Sequence, residues 1–291
     1  MAGWSRGDNV NLSEKAMLVN LSIAQWSGRK LDRGVTAEVI ADHKADRDAG
    51  RWNKSLVLGR ALEGVKRAAS DARTFHYLNT LPWSDDGSRI LTAAHFMEYS
   101  GKVGEHERKF KAAADEFEIA YPALIDAAQA GLGDMFDLAD YPSPGEVRSR
   151  FSFSVKFLPL PAGEDFRVEL SSDDVTRIKG EIEAQVQDAT AQAMRDLWRR
   201  LYDAVRHVSD KLKDGDAIFR DSLIGNVREL VDLLPALNLT GDPALISCVD
   251  EVRDKLADLD PQALRDHEFD RRAAARVADD IARKMVGYCE S

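Results

Sequence analysis

From Val175 to Leu212 the sequence places an apolar residue at every third or fourth position without a break. Val175, Ile178, Ile182, Val186, Ala189, Ala193, Leu197, Leu201, Val205, Val208 and Leu212 are separated only by steps of 3 or 4. That spacing puts them all on one stripe of an α-helix. Ser171 followed by Asp174 is a capping-box-like start with Asp in the usual Glu or Gln place. No proline interrupts the run, and Asp214-Gly215 ends it. One continuous helix over about 172–213 is predicted, roughly 60 Å long at about 1.5 Å per residue. The 3-4-4 rhythm lies nearer an eleven-residue repeat than a heptad, so the helix should be nearly straight. A compact domain of this length has a radius of gyration of only about 19 Å. Part of the arm is therefore expected to need cover from another chain, in a homo-oligomer or a stable complex.

Around this arm the pattern predicts an α+β chain that is mostly helical. A region 1–170 should carry strands near 17–26, 151–158 and 165–170, paired as a small three-stranded antiparallel sheet, and 171–291 should form the arm and a C-terminal helical bundle. Val19, Leu21 and Ile23 alternate with Asn20 and Ser22, as do Phe151, Phe153, Val155 and Phe157 with their polar neighbours, which is the period of a half-buried strand. Further helices are expected from about Thr36, from Lys54 to Tyr77, and from Ser88 to Ala120. Pro122 should open a new helix, and Ser143-Pro144 with Glu146 a short one. Later helices should run from about Asp216 to a stop at Pro235, from Asp242-Pro243, from Asp260-Pro261, and over 268–287.

The charge is unevenly spread. Residues 1–75 hold 13 Lys/Arg against 9 Asp/Glu, whereas the other 216 residues hold 27 against 41. The bulk of the chain should repel nucleic acid and anionic lipid, and its N-terminal quarter need not. No run of about 18 uncharged apolar residues exists for a spanning helix, and the N-terminus does not resemble a secretory signal. Cys248 and Cys289 lie far apart, which suits a reducing compartment. A cytoplasmic protein with no membrane partner is expected.

Catalytic signatures are weak. Ser100-Gly-Lys-Val103 lacks the upstream glycine and the hydroxyl of a phosphate loop. Gly131-Leu-Gly133 is followed by Phe136 where a dinucleotide fingerprint needs its third glycine. Asp86-Gly-Ser88-Arg-Ile90 lacks the second serine of the von Willebrand A metal site and reads as a turn. His43, His106, His207 and His267 sit among charged helical residues, and neither cysteine has a ligand-spaced partner. No enzyme, cofactor or metal is expected.

Two stretches concentrate recognition chemistry. Arg73, Phe75, Tyr77, Trp83 and Arg89 gather aromatics and arginines around a turn. These residue types dominate binding hot spots, although the same aromatics could simply pack a joint between helices. Arg51, Trp52, Lys54, Arg60, Lys66, Arg67 and Arg73 could instead line a surface that stacks bases and neutralises phosphates of single-stranded DNA.

Several segments resemble an uncharacterised phage and prophage protein family known only as a domain of unknown function. They are Leu18-Val-Asn-Leu-Ser-Ile23 with Trp26 and Gly28-Arg-Lys30, Gly50-Arg-Trp-Asn-Lys54, Arg73-Thr-Phe-His-Tyr77, Thr80-Leu-Pro-Trp-Ser-Asp-Asp-Gly87, Arg195-Asp-Leu-Trp198 and Phe219-Arg-Asp-Ser-Leu223. The likeness runs from about residue 17 to 260. Genes of that family often neighbour those of a MoxR-type AAA ATPase and a von Willebrand A protein. The resemblance implies a phage accessory role in a bacterial host, beside such an ATPase, and assigns no catalytic residue. Two functions are therefore expected to compete: a non-enzymatic scaffold or adaptor that binds itself or a phage or host protein, and a phage DNA-metabolism protein that binds or anneals single strands.

Overall fold

The structure is a computed structural model that describes residues 12–84, 86–163, 168, 171–214 and 219–289. Along the chain run α1 (Leu12–Lys15), β1 (Ala16–Ala24), β2 (Arg29–Leu31), α2 (Arg33–Asp42), β3 (Asn53–Ser55), α3 (Glu63–Leu78), β4 (Leu81–Pro82), β5 (Ser88–Thr92) and α4 (Phe96–Leu132). Then follow α5 (Pro144–Ser149), β6 (Ser152–Pro159), α6 (Ser172–Lys213), α7 (Ser222–Leu237), α8 (Pro243–Val252), α9 (Pro261–Asp266) and α10 (Glu268–Cys289). The fold is α+β and mainly helical, with a small antiparallel sheet, a long helix and C-terminal helices.

The long helix falls where its spacing puts it. α6 spans 42 residues, and the Ser171 side chain accepts from the Asp174 backbone N–H. Its stripe is buried only in part. Ala189, Ala193, Leu197, Leu201, Val205, Val208 and Leu212 are buried, but Val175, Ile178, Ile182 and Val186 are half-buried.

The sheet departs from the expected three strands. Among the described residues it has four, in the order β4-β5-β1-β6. The expected strand near 165–170 lies outside the described residues apart from Val168. Ser88–Thr92, expected to begin a helix, is β5, with Ala16 opposite Thr92 and Asn20 opposite Ser88 in the antiparallel register with β1. Ile90 and Leu91, on opposite faces of the strand, are both buried, so packing on two sides overrides the turn-and-cap signal of Asp86-Gly87. Leu81–Pro82 pairs at the sheet edge, where a residue without an N–H is tolerated. Pro122 does not start a helix. It lies inside α4, where buried Phe117, Tyr121 and Ala128 hold the helix through it. α7 likewise runs past Pro235.

The chain forms two compact units, and neither ends at residue 170. One comprises 1–20, 77–99 and 156–291, the other 21–76 and 100–155. In the first, the buried face of α6 packs with α7, α8 and α10, and the core also takes Ala16, Leu18, Leu81, Ile90 and Leu160 from earlier in the chain. In the second, Trp26 meets Phe117 and Tyr121 edge-on, at ring separations of 6.0 and 5.6 Å, above Leu62, Val65 and Ala69 of the α3 region.

An excursion in the second unit, residues 29–55, has a single buried residue, and that residue is Lys54. No side chain of α2 is buried. The excursion is closed at its base by Leu56 N–H donating to Gly28 O at 2.7 Å. Gly28 has φ +65°, and a Cβ there would lie 2.9 Å from Leu62 and Val57 side chains. Only glycine fits that crossing.

Candidate functional site

At the C-terminus of α3, in the first unit, two arginines from distant parts of the chain converge on the same carbonyls. Arg200 of α6 donates through Nη1 to Leu78 O at 2.6 Å, and through Nη2 to Tyr77 O at 3.1 Å and Thr80 O at 2.9 Å. Arg89 of β5 donates from Nη2 to Thr80 O at 3.0 Å and from Nε to Thr80 Oγ1 at 2.7 Å. A helix ends with unsatisfied carbonyls and a partial negative charge, so guanidinium groups are favoured there. Asp196, one turn back on α6, pairs with Arg200 at 2.7 Å. Burial, and then the Arg200 charge beside it, lowers the pKa of Arg89.

These bonds fix a corner whose outer side is apolar. The Arg89 guanidinium lies 4.8 Å from the centre of the Tyr77 ring, a cation–π distance. Tyr77 remains 55% exposed and Leu78 54%. Two large side chains, each a little more than half exposed, thus sit on a backbone held from beneath.

The residues of the aromatic stretch fall in both units. Tyr77, Trp83 and Arg89 belong to the first unit, Arg73 and Phe75 to the second. Trp83 is half-buried against the core of its unit. Phe75 lies on the His106 ring at 5.1 Å, and burial lowers the pKa of that histidine. Arg73 donates to Ile23 O at 3.0 Å.

The basic residues are dispersed too. Lys54 does not face solvent: it pairs with Asp140, lies 3.5 Å from Asp32, and donates to Met135 O at 2.9 Å. Lys30 pairs with Asp140 as well. The Asp140 bond raises the Lys54 pKa against the cost of burial. Burial pushes the Asp140 carboxyl up, but the two lysines outweigh it and leave it lowered. Arg60, Lys66 and Arg67 are exposed, with Lys66 3.8 Å from Glu63. Lys66 and Arg73 share one flank of α3, and Arg67 points about 100° away from Lys66. The second unit as a whole holds 17 basic and 17 acidic residues, so residues 100–155 cancel the positive N-terminal surplus. The net charge of −10 resides in the first unit.

Arg51 and Trp52 stand apart from the rest, beside a cavity of about 230 Å³ between α2 and the following loop. Trp52 is 47% exposed. Among the described residues no group of three or more His, Cys, Asp or Glu could hold a metal ion, and no helix is long and apolar enough to cross a membrane. Burial pushes the Cys248 thiol up to about 11, which suits a packed side chain better than a nucleophile. Sequence reading missed the role of Arg200, because its carbonyl partners lie some 120 residues earlier.

No protein-family model, no curated protein and no solved structure matches the chain.

Proposed function

We propose that this protein is a non-enzymatic scaffold or adaptor of phage or prophage origin, working in the cytoplasm of a bacterial host and assembling first with copies of itself. A MoxR-type AAA ATPase is the heterologous partner that the family resemblance suggests. The observation that carries the reading is the Tyr77–Leu78 corner. Ordering side chains and loops on binding opposes association. Arg89 and Arg200 have already fixed this backbone, so a partner that covers Tyr77 and Leu78 gains apolar burial with little further ordering. Tyr and Arg are also the residue types that dominate interface energetics.

The competing reading, single-stranded DNA binding, draws on the exposed Trp52 and on Arg51, Arg60 and Arg67. The withdrawal of Lys54 and the balanced charge of the second unit count against it. Native mass measured with and without labelled single-stranded DNA separates the two. A scaffold gives a multiple of 32.3 kDa that ignores the DNA and changes little with salt. A strand binder gives a DNA complex whose log affinity falls by about 0.7 per neutralised phosphate for each decade of salt. That second result would overturn the proposal.

A further inference from the structure

We infer that the cavity between α2 and the 43–52 loop is a binding site for a small apolar carboxylate, an aryl- or branched-alkyl-acetate in kind. Val39, Ile40, Ala45 and Ala49 contribute apolar walls, with the Trp52 ring beside them. The volume of about 230 Å³ is many times the roughly 10–15 Å³ of probe-occupied space that one water needs, and it suits one ring or one branched side chain.

The walls are built before any ligand arrives. Asp32 N–H donates to Trp52 O at 2.9 Å. Trp52 N–H donates to Thr36 Oγ1 at 2.9 Å, and that hydroxyl donates to Asp32 O at 2.5 Å. The Thr36 hydroxyl is thereby engaged within the protein. Arg51, His43 and Trp52 are the other lining residues with polar side-chain groups, and none of the three side chains has a partner among the described residues.

Charge selects the ligand. The chain has 50 Asp and Glu against 40 Lys and Arg, yet no residue lining the cavity is acidic and one is an arginine. An apolar body with one carboxylate at the rim would fill the walls and pair with Arg51, the usual recognition of that anion. Residues 29–55 bury nothing but Lys54, so such a ligand would also supply this excursion with the apolar core it lacks. The site lies in the second unit and stands independently of the Tyr77–Leu78 corner.

The test follows the Trp52 indole N–H by NMR in the full chain, assigned with Trp52→Phe, during titration with phenylacetate, its neutral amide, and an oligothymidylate. Saturable movement by phenylacetate below about 10 mM is expected. The amide should bind about two- to fivefold more weakly, the size of one partly screened ion pair. Arg51→Gln, an exposed change that should leave folding intact, should weaken the acid to the level of the amide. Equal binding of acid and amide in the wild type would overturn the assignment. So would no saturable movement, or a response to the oligothymidylate alone.

Discussion

Lys54 shows how far a single residue's sequence context can mislead. Beside Arg51 and Trp52 it reads as part of a cationic surface, yet its ammonium is spent on Asp140, Asp32 and Met135 O. The cluster is shielded but shallow, so Lys54→Met should cost about 1–2 kcal/mol, between the values for exposed and buried pairs. Its pH dependence has a defined sign. Asp140 is held below its usual value, so its contribution is present above about pH 4 and fades as pH falls through the lowered pKa. Lys54 is held above its usual value, so its contribution is present below about pH 10 and fades as pH rises through the raised pKa. Urea unfolding should therefore show a wild-type advantage that is flat between about pH 5 and 9 and shrinks on either side. An advantage largest at pH 3 would contradict the clasp. At the other place, Arg200→Met should cost about 1–3 kcal/mol by stranding carbonyls at the end of α3. Equilibrium unfolding measures it, and a change within error would show that water replaces the guanidinium. Neither clasp was legible in the sequence, because each includes partners more than 80 positions apart, Asp140 and Met135 for Lys54 and Tyr77, Leu78 and Thr80 for Arg200, whereas pattern reading sees only one turn or one strand pair at a time.

α6 was legible because propensity, capping and packing agree along it. Its limits follow Ser171 and Asp214, and from Ala189 onward every residue of the stripe is buried, with Met194, Trp198 and Ser209 buried beside it. β5 was not, because five residues after Asp86-Gly87 satisfy a helix start as well as a strand, and only the burial of Ile90 and Leu91 decides. The stripe of α6 is also not uniform. Leu197→Asp should cost several kcal/mol by placing a charge in the core. Ile178→Asp, on the half-buried section of the same stripe, should cost less than about 1 kcal/mol. Equal losses in thermal unfolding would mean that the first four turns are as deeply covered as the rest.

Across the whole molecule, each unit is assembled from separated stretches of chain. The core that packs α6 includes Ala16, Leu18, Leu81, Ile90 and Leu160, all before residue 170. A fragment of 171–291 expressed alone should consequently lose cooperative unfolding and expose apolar surface to a reporter dye. A sharp transition from that fragment would show that the bundle needs none of those residues.

The same first unit carries the net negative charge and, at Tyr77 and Leu78, two exposed apolar side chains on a fixed backbone. The measurement that bears most directly on a self-assembling scaffold is sedimentation equilibrium at tens of micromolar, comparing the wild type with the Tyr77→Ser, Leu78→Ser double variant. Both positions are exposed, so the variant should fold as the wild type does. The wild type should show a dimer or larger assembly, little changed by salt, and the variant should fall toward the monomer mass of 32.3 kDa. A wild type that stays monomeric, or a variant that assembles as tightly as the wild type, would contradict it.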